Sequence, residues 1–302
     1  MKFISKLISY MILTFSLILV SGCDDSENKT YDWVDSGNDA GEDTGSDAGT
    51  DNVNNDISDA GDDADIIVVQ DPPPNIEGTW AYLNIRASII NYPMIGLVNN
   101  RIISLLKYEI TQDGTSINSA ETVCEIIVDS SNDSITTIMP DAFVTSMPEE
   151  IRENTLSYTD GNWGYSQPKY WTTQGVVLTD VENEELPGDP EDPRVVDQDE
   201  DGHPGMTVRL TGSLSGELYV VQKGWTVLEP GSANETEMEG LVTWADYQVT
   251  VDASTPVLKI NPETNPNPDP EESYYKFVKI TADYSCQDIS DQKETLFPLE
   301  TF

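Results

Sequence analysis

Residues 78–90 read GTWAYLNIRASII and residues 206–212 read MTVRLTG, and these two stretches decide the fold class. Both are rich in aromatic and β-branched side chains, which suit a pleated, half-buried surface. In the second, Thr207, Arg209 and Thr211 fall on one face and Val208 and Leu210 on the other. Tyr275, Phe277, Lys279 and Thr281 repeat the alternation. A period of two marks an antiparallel strand with one face against a core.

Working outward, the pattern predicts further strands over residues 101–112, 122–129, 135–139, 175–179, 216–222, 224–228, 237–253, 257–260 and 274–284. Asp113-Gly114 is a hairpin dipeptide between the first two of these. Only residues 147–154 and 99–107 offer a turn or two of helix. About ten short strands with turn signals between them predict a single all-β, antiparallel domain over residues 75–302, either a closed barrel or a β-sandwich. Closure removes exposed edges, which favours the barrel. The opening Ile76-Glu77-Gly78-Thr79-Trp80 resembles the Gly-x-Trp start of lipocalin-like (calycin) barrels. That resemblance implies a barrel plugged at one end by Trp80. In a sandwich, Trp80 is a core residue after a turn.

The chain ahead of this domain is different in kind. Lys2 and Lys6 precede the apolar run 7–20, and Val20-Ser21-Gly22-Cys23 closes it. Basic, apolar and small-residue regions in that order form a secretory signal, here residues 1–22. A run of 14 residues is short against the roughly 20 that span a bilayer, and Asp24 and Asp25 follow at once. The small residues before Cys23 resemble the lipobox of bacterial lipoproteins. The resemblance implies that Cys23 carries the lipid and becomes the mature amino terminus, which anchors the chain to a membrane of the bacterial cell envelope. Asp24 fits the inner-membrane retention pattern of enteric bacteria.

Residues 24–71 hold sixteen acids and one lysine, Lys29. Asp35, Asp39, Asp43, Asp47 and Asp51 recur every fourth residue, in step with Gly37, Gly41, Gly45 and Gly49. So few apolar residues cannot offset ordering entropy, and the glycines weaken any helix. The segment 23–74 reads as a solvated spacer ending in Pro72-Pro73-Pro74, with a weak cation sponge as the alternative. The net charge of −40 excludes a generic nucleic-acid binder, which needs clustered Lys and Arg.

With Cys23 lipidated, Cys124 and Cys286 remain, and in an exported protein such a pair reads as a disulfide. Two separate buried thiols are the alternative. Residues 189–205 are the most distinctive candidate site. Asp197, Asp199 and Asp201 stand at positions one, three and five of a loop with Gly202 at six. Alternate carboxylates in a tight turn converge on one centre, and hard oxygens suit Ca²⁺. The segment resembles the D-x-D-x-D-G loops of EF-hands, dockerins and thrombospondin type-3 repeats, which implies the His203 backbone carbonyl as a further ligand. Position twelve is Val208 rather than Glu, so the bidentate ligand is sought in Asp192 or Asp189. A solvated acidic turn is the alternative. Lipobox, Asp/Gly-rich spacer and the D-x-D-x-D-G-x-P-G segment together resemble surface lipoproteins of myxobacteria and their relatives, which implies an envelope location and no particular activity.

His203 is the sole histidine, which removes most nucleophilic triads and His/Cys zinc clusters. Trp163, Tyr165, Tyr170 and Trp171 gather in what reads as a Gly/Gln/Pro-rich loop, suited to stacking on a ligand or to filling a core. Three functions remain open. They are a calcium-braced envelope lipoprotein with a binding or structural role toward an envelope partner, a lipocalin-like carrier of a small apolar ligand, and a carboxylate-dependent hydrolase.

Overall fold

A computed structural model describes residues 71–92, 96–132 and 134–298. The predicted signal segment, Cys23 and the spacer up to residue 70 lie outside the described residues. Twelve strands follow in chain order: β1 (Gly78–Tyr92), β2 (Gly96–Asp113), β3 (Ser116–Ser130), β4 (Ile135–Ile138), β5 (Glu150–Thr159), β6 (Asn162–Gln174), β7 (Met206–Gly212), β8 (Gly216–Leu228), β9 (Ser232–Ala233), β10 (Glu237–Ala253), β11 (Glu263–Pro266) and β12 (Tyr274–Lys279). Three short helices, α1 (Asp141–Ser146), α2 (Cys286–Asp291) and α3 (Lys293–Leu296), complete the described elements with two 3₁₀ turns. The fold is all-β. Among the described residues no helix is long and apolar enough to cross a membrane.

Hydrogen bonding runs β8-β6-β5-β3-β2-β1-β12-β10, and β10 pairs back onto β8. Eight antiparallel strands therefore form a ring, with β4 and β7 extending from β8. The ring is not a clean barrel, because two strands change partners along their length. β6 pairs with β5 up to Ser166 and with β8 from Gln167 onward. β10 pairs with β12 through Leu241 and with β8 from Val242.

Bulges set which residues face inward. The β6–β8 register slips between Gln167 and Tyr170, where Pro168 has no N–H to give a ladder. On β3 the register slips so that Cys124 is the extra residue between Val123 and Glu125. Inward-facing parity changes across it: Glu121 and Val123 line the interior before the bulge, Ile126 and Val128 after it.

β1 explains why Trp80-Ala81-Tyr82-Leu83 is apolar on both faces rather than alternating. Trp80 and Tyr82 pack inward with Tyr108, Tyr165, Tyr275 and Phe277. Ala81, Leu83 and Ile85 pack outward with Ile103 and Leu105 beneath Ile289 and Phe297. Both faces are covered, so both are hydrophobic. The outer cover is the α2–α3 segment. Ser285 and Asp288 form a reciprocal capping box at its start. The Cys124–Cys286 disulfide staples it to the β3 bulge, with Cα atoms 4.9 Å apart and a sequence separation of 162. On the chain-entropy model such a loop contributes about 4–5 kcal/mol. Trp80 is fully buried, and its Nε1–H donates to the Ile76 carbonyl at 2.8 Å.

Several expected elements need correction. Residues 147–154 are not helical: Glu150 onward is β5, whose Asn154 and Leu156 are buried on one face, and the short helix lies earlier, where α1 buries Phe143. Residues 257–260 are no strand, since Pro256 opens a 3₁₀ turn there. Residues 175–179 contribute only a single bridge, Val176 to Val195. The predicted strands 216–222 and 224–228 are one strand, β8, and Gly224 does not interrupt it. The aromatic loop is strand β6, hidden in the sequence by the bulge at Pro168.

Candidate functional site

The ring holds a cavity of about 850 Å³. That falls in the size range of small-molecule sites. Its lining divides by chemistry. β7, β8 and α1 supply Met206, Leu210, Leu218, Val220 and Phe143, which belong to one apolar cluster. β1, β2 and β10 supply Asn84, Arg86, Ser88, Asn100 and Asp246.

Two ion pairs sit in this interior. Arg86 Nη1 donates to Asp246 Oδ1 at 3.1 Å and Oδ2 at 3.0 Å. Asp246 stands opposite Gly224 on β8, and a Cβ at that glycine would run into Asp246 Oδ1. The missing side chain therefore makes room for the carboxylate. Glu121 faces Arg152 at 3.9 Å, and accepts from Ser119 Oγ at 3.0 Å and Gln167 Nε2 at 2.8 Å. Burial pushes the Glu121 carboxyl upward even though these partners pull it down. The Arg152 guanidinium lies 4.1 Å above the Tyr170 ring. Burial, followed by the nearby Glu121 charge, raises the Tyr170 phenol to about 12.

Three further polar groups belong to cavity-lining residues and are unsatisfied. Asn84 Oδ1, Ser88 Oγ and Asn100 Oδ1 are buried and have no hydrogen-bond partner. Ser88 and Asn100 are register partners across β1 and β2. Each such group carries a penalty of about 1–3 kcal/mol. Asn84 spends its Nδ2 on the Tyr82 hydroxyl at 2.7 Å, which leaves its buried carbonyl oxygen without a partner.

The aromatics picked out from the sequence divide. Tyr170 and Trp171 line the cavity, and Trp171 stacks on Tyr247 with centroids 6.4 Å apart. Tyr165 is buried in the inner core. Trp163 lies outside the cavity lining, with Nε1–H donating to the Asp71 carbonyl at 3.1 Å.

The acidic loop adjoins the same interior. Asp197 pairs with Gly205 in an isolated parallel bridge, and Val196 and Gln198 line the cavity. Gln198 is tied to β6, accepting from Gly175 N–H at 2.6 Å and donating to Gln174 Oε1 at 2.8 Å. Asp197, Asp199 and Asp201 converge, with carboxylate oxygens within 4.8 Å of one another. Gly202 has φ +89°, the left-handed turn that glycine tolerates. His203 donates its N–H to Asp201 Oδ1 at 2.9 Å and stacks its ring on Tyr219 at 4.1 Å. Asp192 and Asp189 are not in the converging group. Asp192 is forked onto Arg194 through bonds of 3.0 and 2.9 Å, which hold its carboxyl down at about 2. Asp189 Oδ1 accepts from the Glu191 N–H.

Arg86, Asp246, Glu121, Arg152 and Asn84 were not picked out from the sequence. The available signal was Arg86: it shares even-numbered parity with Trp80 and Tyr82, so an inward-facing strand places a charge inside. Fold and site together define an all-β domain with a ligand-sized, mixed-polarity interior and an acidic loop at its wall. No family model, curated protein or solved structure matches the chain.

Proposed function

We propose that the β-domain is a binding protein that holds one small amphipathic molecule in its interior, tethered to the cell envelope by lipid on Cys23. The carrying observation is the cavity of about 850 Å³, whose lining pairs an apolar wall with the polar residues Asn84, Arg86, Ser88, Asn100 and Asp246. A ligand with an apolar body and a polar head satisfies both. Asn amides and the Ser88 hydroxyl both donate and accept, so a neutral polar head such as a hydroxyl, amine or amide suits this lining. This departs from a carrier of purely apolar cargo. The tether is supported by the lipobox-like Val20-Ser21-Gly22-Cys23, and the Cys124–Cys286 bond is in keeping with an oxidising compartment.

The test is titration with N-phenyl-1-naphthylamine, whose fluorescence rises in apolar surroundings and whose amine donates. The expected result is saturable binding of one probe per chain, abolished by Ser104→Trp, which fills the cavity from β2. Fluorescence that rises without saturation, or binding that Ser104→Trp leaves intact in a folded variant, would contradict the reading.

A further inference from the structure

We infer that Asp197, Asp199 and Asp201 form a site for one divalent cation, and that calcium is the ion they fit. The inference stands apart from whatever the cavity binds. Clustered acids alone mean little on a chain of net charge −40. What matters is how each carboxylate uses its oxygens.

Asp197 accepts from Asp201 N–H at 3.1 Å and Gly202 N–H at 2.9 Å. Asp201 accepts from His203 N–H at 2.9 Å and the Thr207 hydroxyl at 2.6 Å. Both are exposed. Asp199 is different. It is 8 % exposed; its Oδ2 accepts from Thr207 N–H at 3.0 Å, while Oδ1 is buried with no hydrogen-bond partner. Burial removes water from this oxygen, and leaving a buried polar atom unpartnered is costly. The cation nearest in sequence, Arg194, is committed to Asp192 and Glu184. A bound cation resolves the conflict by giving the buried oxygen a partner and the three charges a counter-charge.

Size selects the ion. Calcium–oxygen distances of about 2.3–2.6 Å put two ligand atoms at most roughly 4.6–5.2 Å apart. Magnesium, at about 2.0–2.1 Å, allows only about 4.2 Å. The three candidate ligand atoms all lie within 4.8 Å of one another, a spread the calcium shell accommodates without rearrangement. Three carboxylates leave the remaining calcium positions to carbonyl groups or water.

The experiment is calorimetric titration of the full, EDTA-treated chain with calcium chloride, and with magnesium chloride for comparison, alongside thermal melts. Asp199→Asn keeps an acceptor for the Thr207 N–H and removes the charge; Asp201→Asn is the second variant, and far-UV circular dichroism reports whether each is folded. The expected result is a site of one ion per chain with Kd on the order of 10⁻⁴–10⁻³ M, weakened at least about tenfold in either variant and by a similar factor for magnesium. In EDTA, Asp199→Asn melts above wild type, because the buried charge is gone; in millimolar calcium the order reverses. Absence of both heat and melting shift in wild type overturns the site. So does calcium binding that neither variant changes, which would locate the ion on other acids. An Asp199→Asn variant that melts below wild type in EDTA and calcium alike makes the carboxylate purely structural, and also overturns it.

Discussion

Replacing Asp246 with Ala tests how the interior is held together. The carboxylate makes two charge-assisted bonds to Arg86 from a side chain that is 9 % exposed, while the Arg86 side chain is 21 % exposed. Removing it leaves a guanidinium in the cavity wall with no anion opposite. Breaking a fully buried pair costs about 3–5 kcal/mol, and the partial access of Arg86 lowers the expectation to about 2–4 kcal/mol. The Trp244 ring, 5.6 Å from the guanidinium, offsets only a small part. Arg86→Met removes the other charge while keeping the stem packed. The double variant should lose at least about 1.5 kcal/mol less than the two single variants summed, because it strands neither partner. The assay is urea denaturation of all four proteins, with slopes compared so that midpoint shifts can be converted to free energy. In a melt, a loss of about 2–4 kcal/mol corresponds to roughly 4–16 °C for a domain of this size. A loss below about 0.5 kcal/mol for Asp246→Ala, or strict additivity in the cycle, would refute the reasoning that this pair is a coupled interior element.

Other outcomes follow from the same physics. Burial raises the Glu121 carboxyl, so the folded state holds its proton to higher pH than the unfolded chain does. The resulting cost is absent below the ordinary value of 4.5, grows as pH rises through the folded pKa, and stays constant above it. Glu121→Gln should therefore gain stability relative to wild type as pH climbs from about 4.5 and then hold that gain, as read by denaturation midpoints across pH. A difference that is flat with pH contradicts the assignment. Cys286→Ser should destabilise by about 2–5 kcal/mol and open the α2–α3 cover first, so limited proteolysis should cut within 286–297 before the ring unfolds. Gly224→Ala should displace Asp246 and reproduce much of the Asp246→Ala loss, since the new Cβ meets Asp246 Oδ1 and the Ala245 carbonyl.

The fold class was legible because half-buried strands write their period into the chain. Residues 206–212 and 237–253 were predicted as strands over the same bounds as β7 and β10. The cysteine pair was legible too, since the exported-protein reading left two thiols to join. β6 was not legible, because Pro168 and the slip beside it break the alternation, and β5 was hidden by the helical reading of residues 147–154. The α2 helix was missed because it spans only Cys286–Asp291, and its sequence signal is the Ser285…Asp288 capping pair. Of the site, the convergence of Asp197, Asp199 and Asp201 follows from local spacing. The cavity does not. Its lining depends on parity changes such as the one at Cys124, and on β1 being covered on both faces by elements about 200 residues apart in the chain.

Quenching by 12-bromododecan-1-ol puts the interior binding site to the test. The hydroxyl suits the polar lining at Asn84, Ser88 and Asn100, the chain fits the apolar wall, and bromine quenches a tryptophan it touches. Trp171 lines the cavity, whereas Trp163 lies outside its lining. Tryptophan emission should fall in a saturable titration at one alcohol per chain, and Trp171→Phe should lose most of the quenching while Trp163→Phe keeps it. Quenching that never saturates, or that depends on Trp163 and not on Trp171, would show that the interior is not where such a molecule binds.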